Sequence, residues 1–244
     1  MTAALPETFQ RIDRRDSFRF ACHPGITCFT ECCRQLDLAL TPYDVLRLKY
    51  RLRIASGAFL EQYVIIEWDE RALFPQCYLT MVDDGRASCV FVSAGGCTVY
   101  ADRPGACRAY PVGRGVSAAG ADQVRETLVL VREEHCQGFA ENQTQTPATY
   151  FADQGLAAYT PFNDAVLAVT QHERIANGFR PSREQLDHYL LALYNIDAFR
   201  QEFSNGRISL RRPLTPAELQ GVAGDDEQLL LLGICWLQQE LFGE

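Results

Sequence analysis

No apolar stretch in this sequence is long enough to cross a bilayer. The longest, Leu229–Leu237, is nine residues and has Gly233 inside it, where a membrane helix needs about twenty apolar residues. The opening MTAALPETFQRIDRRDSFRF lacks the apolar core of a secretory signal. Positive charge is in deficit: 23 Lys and Arg stand against 31 Asp and Glu, a net charge of −8. That balance argues against nucleic acid and against an anionic membrane as partners, although Arg47, Lys49, Arg51 and Arg53 make a local basic run. There is no low-complexity tract, no Ser-His-Asp order, no phosphate loop and no dinucleotide-binding glycine pattern. No two cysteines have the two-residue spacing common in zinc knuckles. These absences predict a soluble cytoplasmic protein. Its 244 residues, 47% hydrophobic, suffice for one large domain or two small ones.

Cysteine is abundant, at ten residues, and unevenly placed. In a reducing compartment clustered thiols point to metal rather than to disulfides. Cys22, Cys28, Cys32 and Cys33 fall within twelve residues. Cys28 and Cys32, four apart, share a face if the backbone makes a helical turn. Cys33 is then turned away, so it either serves a second centre or joins the first through irregular backbone. Cys89, Cys97 and Cys107 follow in CVFVSAGGCTVYADRPGACRAYP, and Cys136 in EEHCQGF. Gly95 and Gly96 before Cys97 let backbone N–H groups approach a sulfur. Arg103 and Arg108 flank Cys107, where guanidinium groups favour thiolate. They are candidates for binding an anionic cofactor or substrate group, or for bonding backbone carbonyls and stiffening the loop. Tyr100 and Tyr110 read as packing residues, and His23 and His135 as partly exposed side chains. Cys77, in a strand-like run, and Cys235, in an apolar helix, read as buried hydrophobes.

Thr-Pro pairs at 41, 146, 160 and 215 mark helix starts, with the hydroxyl capping an N–H and Pro having none to lose. The first helix is expected over 42–55. Ser182 with Gln185 predicts a capping box, a further helix is expected to end near Gly178, and DDEQLLLLGICWLQQELF a last, nearly all-apolar helix. Strands are expected at 63–68, 77–82, 88–92 and 126–131 from their β-branched and aromatic content. VDDGR is expected to be a hairpin turn. The fold class expected is α+β: a small sheet with cysteine-bearing loops, then a helical C-terminal layer. The polar ENQTQTP suggests a cysteine region over 1–140 and a helical tail over 141–244.

The order Cys22-x5-Cys28-x3-Cys32-Cys33, a TPYDVLRL helix, Cys89-x7-Cys97-TVYADRP-x2-Cys107-Arg108-x-Tyr110-Pro111 resembles the YkgJ-type cysteine-cluster family. That family is regarded as zinc- or iron-chelating, often as iron–sulfur, and includes the cluster domains of flagellin lysine N-methylases. The resemblance covers about residues 18–138. It implies eight metal-ligating cysteines: Cys22, Cys28, Cys32, Cys33, Cys89, Cys97, Cys107 and Cys136. Eight thiolates divide into two four-thiolate sites, either one or two iron–sulfur clusters of the [4Fe–4S] type or Zn2+ ions. Ligands scattered over several loops favour iron–sulfur. The Cys-x3-Cys-x2-Cys spacing of the common radical S-adenosylmethionine fold is not met, because Cys33 follows Cys32 directly. Two functions follow. One is a redox or methyl-transfer protein, with protein-lysine N-methylase-like activity implied by the resemblance. The other is a non-enzymatic, zinc-stabilised module whose tail docks an unknown protein partner.

Overall fold

In the computed structural model the structure describes residues 8–69, 72–119 and 124–243. The architecture is α+β, with small separate sheets in the N-terminal half and helices towards the C-terminus. No helix among the described residues is long and apolar enough to cross a membrane. Two compact units interleave along the chain rather than following one another. One gathers Met1–Leu38 and Leu79–Thr160, the other Ala39–Tyr78 and Pro161–Glu244. Residues 141–160, expected in the helical tail, thus lie with the cysteines, and 39–78, expected in the cysteine region, do not.

The first unit is built on a three-stranded antiparallel sheet, Phe9–Ile12 beside Val124–Val131 beside Val112–Ala118. The expected strand at 126–131 is the centre of this sheet. Val129 pairs with Gly113, where a side chain would meet the Val129 methyl at 2.9 Å. Short two-stranded ribbons surround it: Phe18–Arg19 with Thr144–Gln145, Met81–Val82 with Ser88–Cys89, and Val92–Ser93 with Gly96–Cys97. VDDGR makes the predicted turn between the second of these pairs. The expected strand at 88–92 is broken in two because each half pairs with a different partner. Aromatic rings fill the core: Phe20 packs on Phe139 at 5.3 Å and on Tyr150 and Tyr110 at about 6 Å. Tyr150 reaches it from helix Pro147–Asp153, capped by Thr146, which places that helix in this unit.

The second unit is mainly helical. Helix Pro42–Leu52 begins at a Thr41 capping box completed by Asp44. It ends three residues before the expected position, because Arg53 turns left-handed and Ser56–Tyr63 starts a new helix. Capping boxes also open Arg183–Leu193 at Ser182 and Pro216–Gly224 at Thr215. Thr160 behaves differently. It lies inside helix Thr160–Ala165, with its hydroxyl donating back to the Leu156 carbonyl, because the chain ahead of it is already wound in a 3-10 turn. A short helix, Glu173–Ala176, ends before Gly178 as expected. The last helix, Asp226–Phe242, buries Leu229, Leu230, Trp236 and Leu237. Gly233 lets it approach Arg183–Leu193 closely, since a side chain there would stand 2.7 Å from the Ala192 carbonyl. Lys49 is buried between Asp197, 2.8 Å away, and Asp226, 2.7 Å away.

Candidate metal centre

All eight candidate cysteines lie in the first unit. All ten cysteines of the chain are free thiols. Three segments bring five of the eight together. After strand Phe18–Arg19 the chain runs beside residues 138–143: the Phe20 N–H bonds the Gln143 carbonyl at 2.9 Å, and the Ala21 N–H the Gly138 carbonyl at 3.1 Å. This sets Cys22 next to Cys136. The approach requires glycine at 138, because a side chain there would lie 2.6 Å from the Phe20 ring and 2.8 Å from the Ala21 carbonyl.

The second segment is 28–33. The α-helical turn that would put Cys28 and Cys32 on one face does not form. Thr30 is left-handed at φ 70°, and Glu31–Cys33 is a 3-10 helix held by bonds from Glu31 N–H to the Cys28 carbonyl and Cys33 N–H to the Thr30 carbonyl. This irregular backbone brings the Cys32 and Cys33 thiols together. The third segment carries Cys136, and the Gln137 N–H donates to the Cys28 sulfur at 3.1 Å.

Mutual electrostatic influence marks Cys22, Cys28, Cys32 and Cys136 as neighbours. Burial, then the neighbouring Cys32, Cys28 and Cys136, push the Cys22 thiol up to about 11, although part of the residue is open to solvent. The hydrogen bond with Cys33, then burial, raise Cys32 far more. Burial also raises Cys136, with Cys28 and Cys32 adding to it and the Tyr110 hydroxyl and Gly138 N–H opposing it. Cys89 and Cys97 form a second pair. Both are raised first by burial, and each sulfur accepts peptide N–H groups, from Phe91 and Val92 at Cys89 and from Val99 at Cys97. Cys107 sits half-buried on helix Gly105–Ala109. The thiols seen to face one another are therefore five and two, rather than the four and four of simple division. Cys77, 1% exposed, and Cys235, on the surface of the last helix, belong to the other unit. Burial is as expected for Cys77 and absent for Cys235.

Among the described residues, no three His, Cys, Asp or Glu side chains close tightly enough to hold an ion as they stand. The chemistry of the donor set nevertheless fits a soft or borderline metal. Convergent, partly buried sulfurs repel one another as thiolates, and a cation placed among them reverses that cost. Peptide N–H groups aimed at Cys28, Cys89, Cys97 and Cys136 favour the anionic sulfur a metal requires.

Arg103 and Arg108 are each 8% exposed. Arg103 bonds the Tyr100 carbonyl at 2.7 Å and the Gln154 side chain at 2.5 Å, and stacks on Tyr100. Arg108 bonds the carbonyls of Arg103, Gln154 and Ala101 and lies over Tyr159. Both guanidinium groups thus brace the 99–110 loop, and Arg103 also lowers Cys97 electrostatically. Gln154, the hub of this brace, was missed because it lies about fifty residues away in sequence with no local motif. Tyr110 was read as packing alone. Its buried hydroxyl makes no full hydrogen bond, and it faces Cys136 and Glu133, which with burial hold its proton on. Tyr100 is not a core residue but is 60% exposed. His23 and His135 are exposed beside Glu141 and Glu133, as expected.

Neither the curated proteins nor the solved structures compared with the chain give a match. A family model does match, over a segment that begins just before Cys22 and ends just after Cys136. Residues 21–137 match the model of the CxxCxxCC family, described as a "Putative zinc- or iron-chelating domain".

Proposed function

We propose that the cysteine-bearing unit holds an iron–sulfur centre, with Cys22, Cys28, Cys32, Cys33 and Cys136 as the principal ligand group and Cys89, Cys97 and Cys107 supplying the rest. One observation carries this reading: sulfurs from three separated segments converge, with the Gln137 N–H beside Cys136 reaching the Cys28 sulfur at 3.1 Å and Cys22 facing Cys28, Cys32 and Cys136. Iron–sulfur is preferred to Zn2+ because the ligands are spread over loops and none has knuckle spacing. When bound, such a centre supplies electron transfer or a Lewis-acidic iron. The chain's own part is to aim the sulfurs and to offset their charge. Peptide N–H groups of Gln137, Gly138, Phe91, Val92 and Val99 do the second, and the Arg103–Gln154–Arg108 brace fixes the loop that follows Cys97.

The resemblance to the cluster domains of flagellin lysine N-methylases supports a redox or methyl-transfer role acting on a protein partner in the cytoplasm. The competing reading is a zinc-stabilised interaction module without catalysis. Protein purified without oxygen, assayed for iron, zinc and acid-labile sulfide, separates the two. About four or eight irons per chain with matching sulfide supports the cluster. One or two zincs without sulfide overturns it in favour of the structural module.

A further inference from the structure

The Tyr110 hydroxyl oxygen is buried and completes no hydrogen bond among the described residues. A buried donor left unbonded is costly, so this position calls for an acceptor. The residue has little freedom to find one elsewhere. Its N–H is held by the Ala106 carbonyl at 3.0 Å, its carbonyl accepts the Tyr150 hydroxyl, and its ring stands edge-on to Phe20 at 6.2 Å. Two groups face the hydroxyl, the Cys136 sulfur and the Glu133 carboxylate. Glu133 has other company: its side chain is 39% exposed to water and lies 3.6 Å from the His135 imidazole. Cys136 is anchored, with its N–H on the Glu133 carbonyl at 3.0 Å and the Gly138 N–H on its sulfur. As a neutral thiol that sulfur is a weak acceptor, and as a thiolate it is a strong one.

We propose that Tyr110 is a positioning residue of the metal centre, its hydroxyl donating to the Cys136 sulfur once that sulfur is a metal-bound thiolate. This rests on Cys136 being a ligand, and it holds for iron and for zinc alike. The bond orients Cys136 and draws off part of its charge, at a sulfur that Cys22, Cys28 and Cys32 crowd. The run Cys107-Arg108-x-Tyr110 then supplies the centre with a donor as well as a thiol.

Co2+ reports thiolate ligation by sulfur-to-metal charge-transfer absorption, whichever metal the protein holds natively. The chain, stripped of metal and kept without oxygen, is titrated with Co2+ as parent, Tyr110→Phe and Tyr150→Phe. The control Tyr150→Phe removes a buried hydroxyl from the same aromatic cluster, but one that bonds a backbone carbonyl. Tyr110→Phe is expected to raise the half-saturating Co2+ concentration roughly 10- to 100-fold. Its charge-transfer band is expected to move to longer wavelength, because a thiolate without its hydrogen bond gives up an electron more readily. Tyr150→Phe is expected to keep the parent band. Unchanged affinity or an unmoved band in Tyr110→Phe overturns the proposal and leaves the metal centre standing. An equal band shift in Tyr150→Phe overturns it in favour of a general loosening of the core. Absence of a thiolate band in the parent overturns it together with the assignment of Cys136 as a ligand.

Discussion

Replacing Gly138 with alanine should open the first unit where Cys22 meets Cys136. The added methyl would lie 2.6 and 2.9 Å from two Phe20 ring atoms and 2.8 Å from the Ala21 carbonyl, against about 3.5–4.0 Å for a relaxed carbon contact. Phe20 is 2% exposed and packed against three rings, so it has little room to withdraw. The carbonyl is backbone, and it moves only with the segment that holds Cys22. Overpacking of this kind costs about 1–3 kcal/mol, and loss of the Ala21–Gly138 bond adds about 0.5–1.5 kcal/mol. A local penalty of about 1.5–4.5 kcal/mol lowers hydrogen-exchange protection at the Phe20 and Ala21 amides by roughly 10- to 1,600-fold. Gly113→Ala is the control. Its methyl meets only the movable end of Val129 within 3 Å, so the loss there should be smaller and confined to the sheet. Equal protection of Phe20 and Ala21 in Gly138→Ala and the parent protein would refute the claim that this contact positions Cys22.

Two further outcomes test the packing. Lys49→Met leaves Asp197 and Asp226 without their shared cation. Arg200 still bonds Asp226, and the Ser56 N–H still bonds Asp197, so the loss should fall near the low end of the range for a broken buried pair, about 3 kcal/mol, read from urea unfolding followed by Trp236 emission. Glu126 is held below its ordinary value of 4.5, first by its hydrogen bond with Arg14 and further by Arg114, against the opposing effect of burial. Its folded pKa is the lower one, so its contribution is complete above the unfolded value and fades as pH falls below about 4.5 through the folded value. Protection of the Phe9–Ile12 strand should therefore decline over that acidic window in the parent and not in Glu126→Gln; identical pH profiles would contradict the ion-pair assignment.

The helix starts were legible where a cap is a local matter. Thr41, Thr146, Ser182 and Thr215 each find their partner within three residues. Thr160 misled because its role was set by the preceding 3-10 turn. The strand at 126–131 announced itself, but the break within 88–92 depends on which segments pair, and periodicity does not encode that. The cysteine motif located the candidate centre without giving its shape. Left-handed Thr30 removes the regular turn on which the pairing of Cys28 with Cys32 rested. The roles of Gly138, Gln154 and the Tyr110 hydroxyl arise from contacts between distant segments. The interleaving of the two units has the same origin. Tyr150 joins the Phe20 cluster and Lys49 joins Asp197 across about 130 to 150 residues of chain.

The central claim is that the convergent thiols bind the metal while the outlying ones do not. It is tested most directly by metal content per chain in Cys32→Ser and Cys77→Ser, each purified without oxygen beside the parent. Cys32 sits in the five-thiol group, and Cys77 is a buried thiol of the other unit raised to about 12 by burial alone. The account predicts that Cys32→Ser loses most of its metal and Cys77→Ser keeps it. Equal metal in the two variants would contradict the ligand assignment.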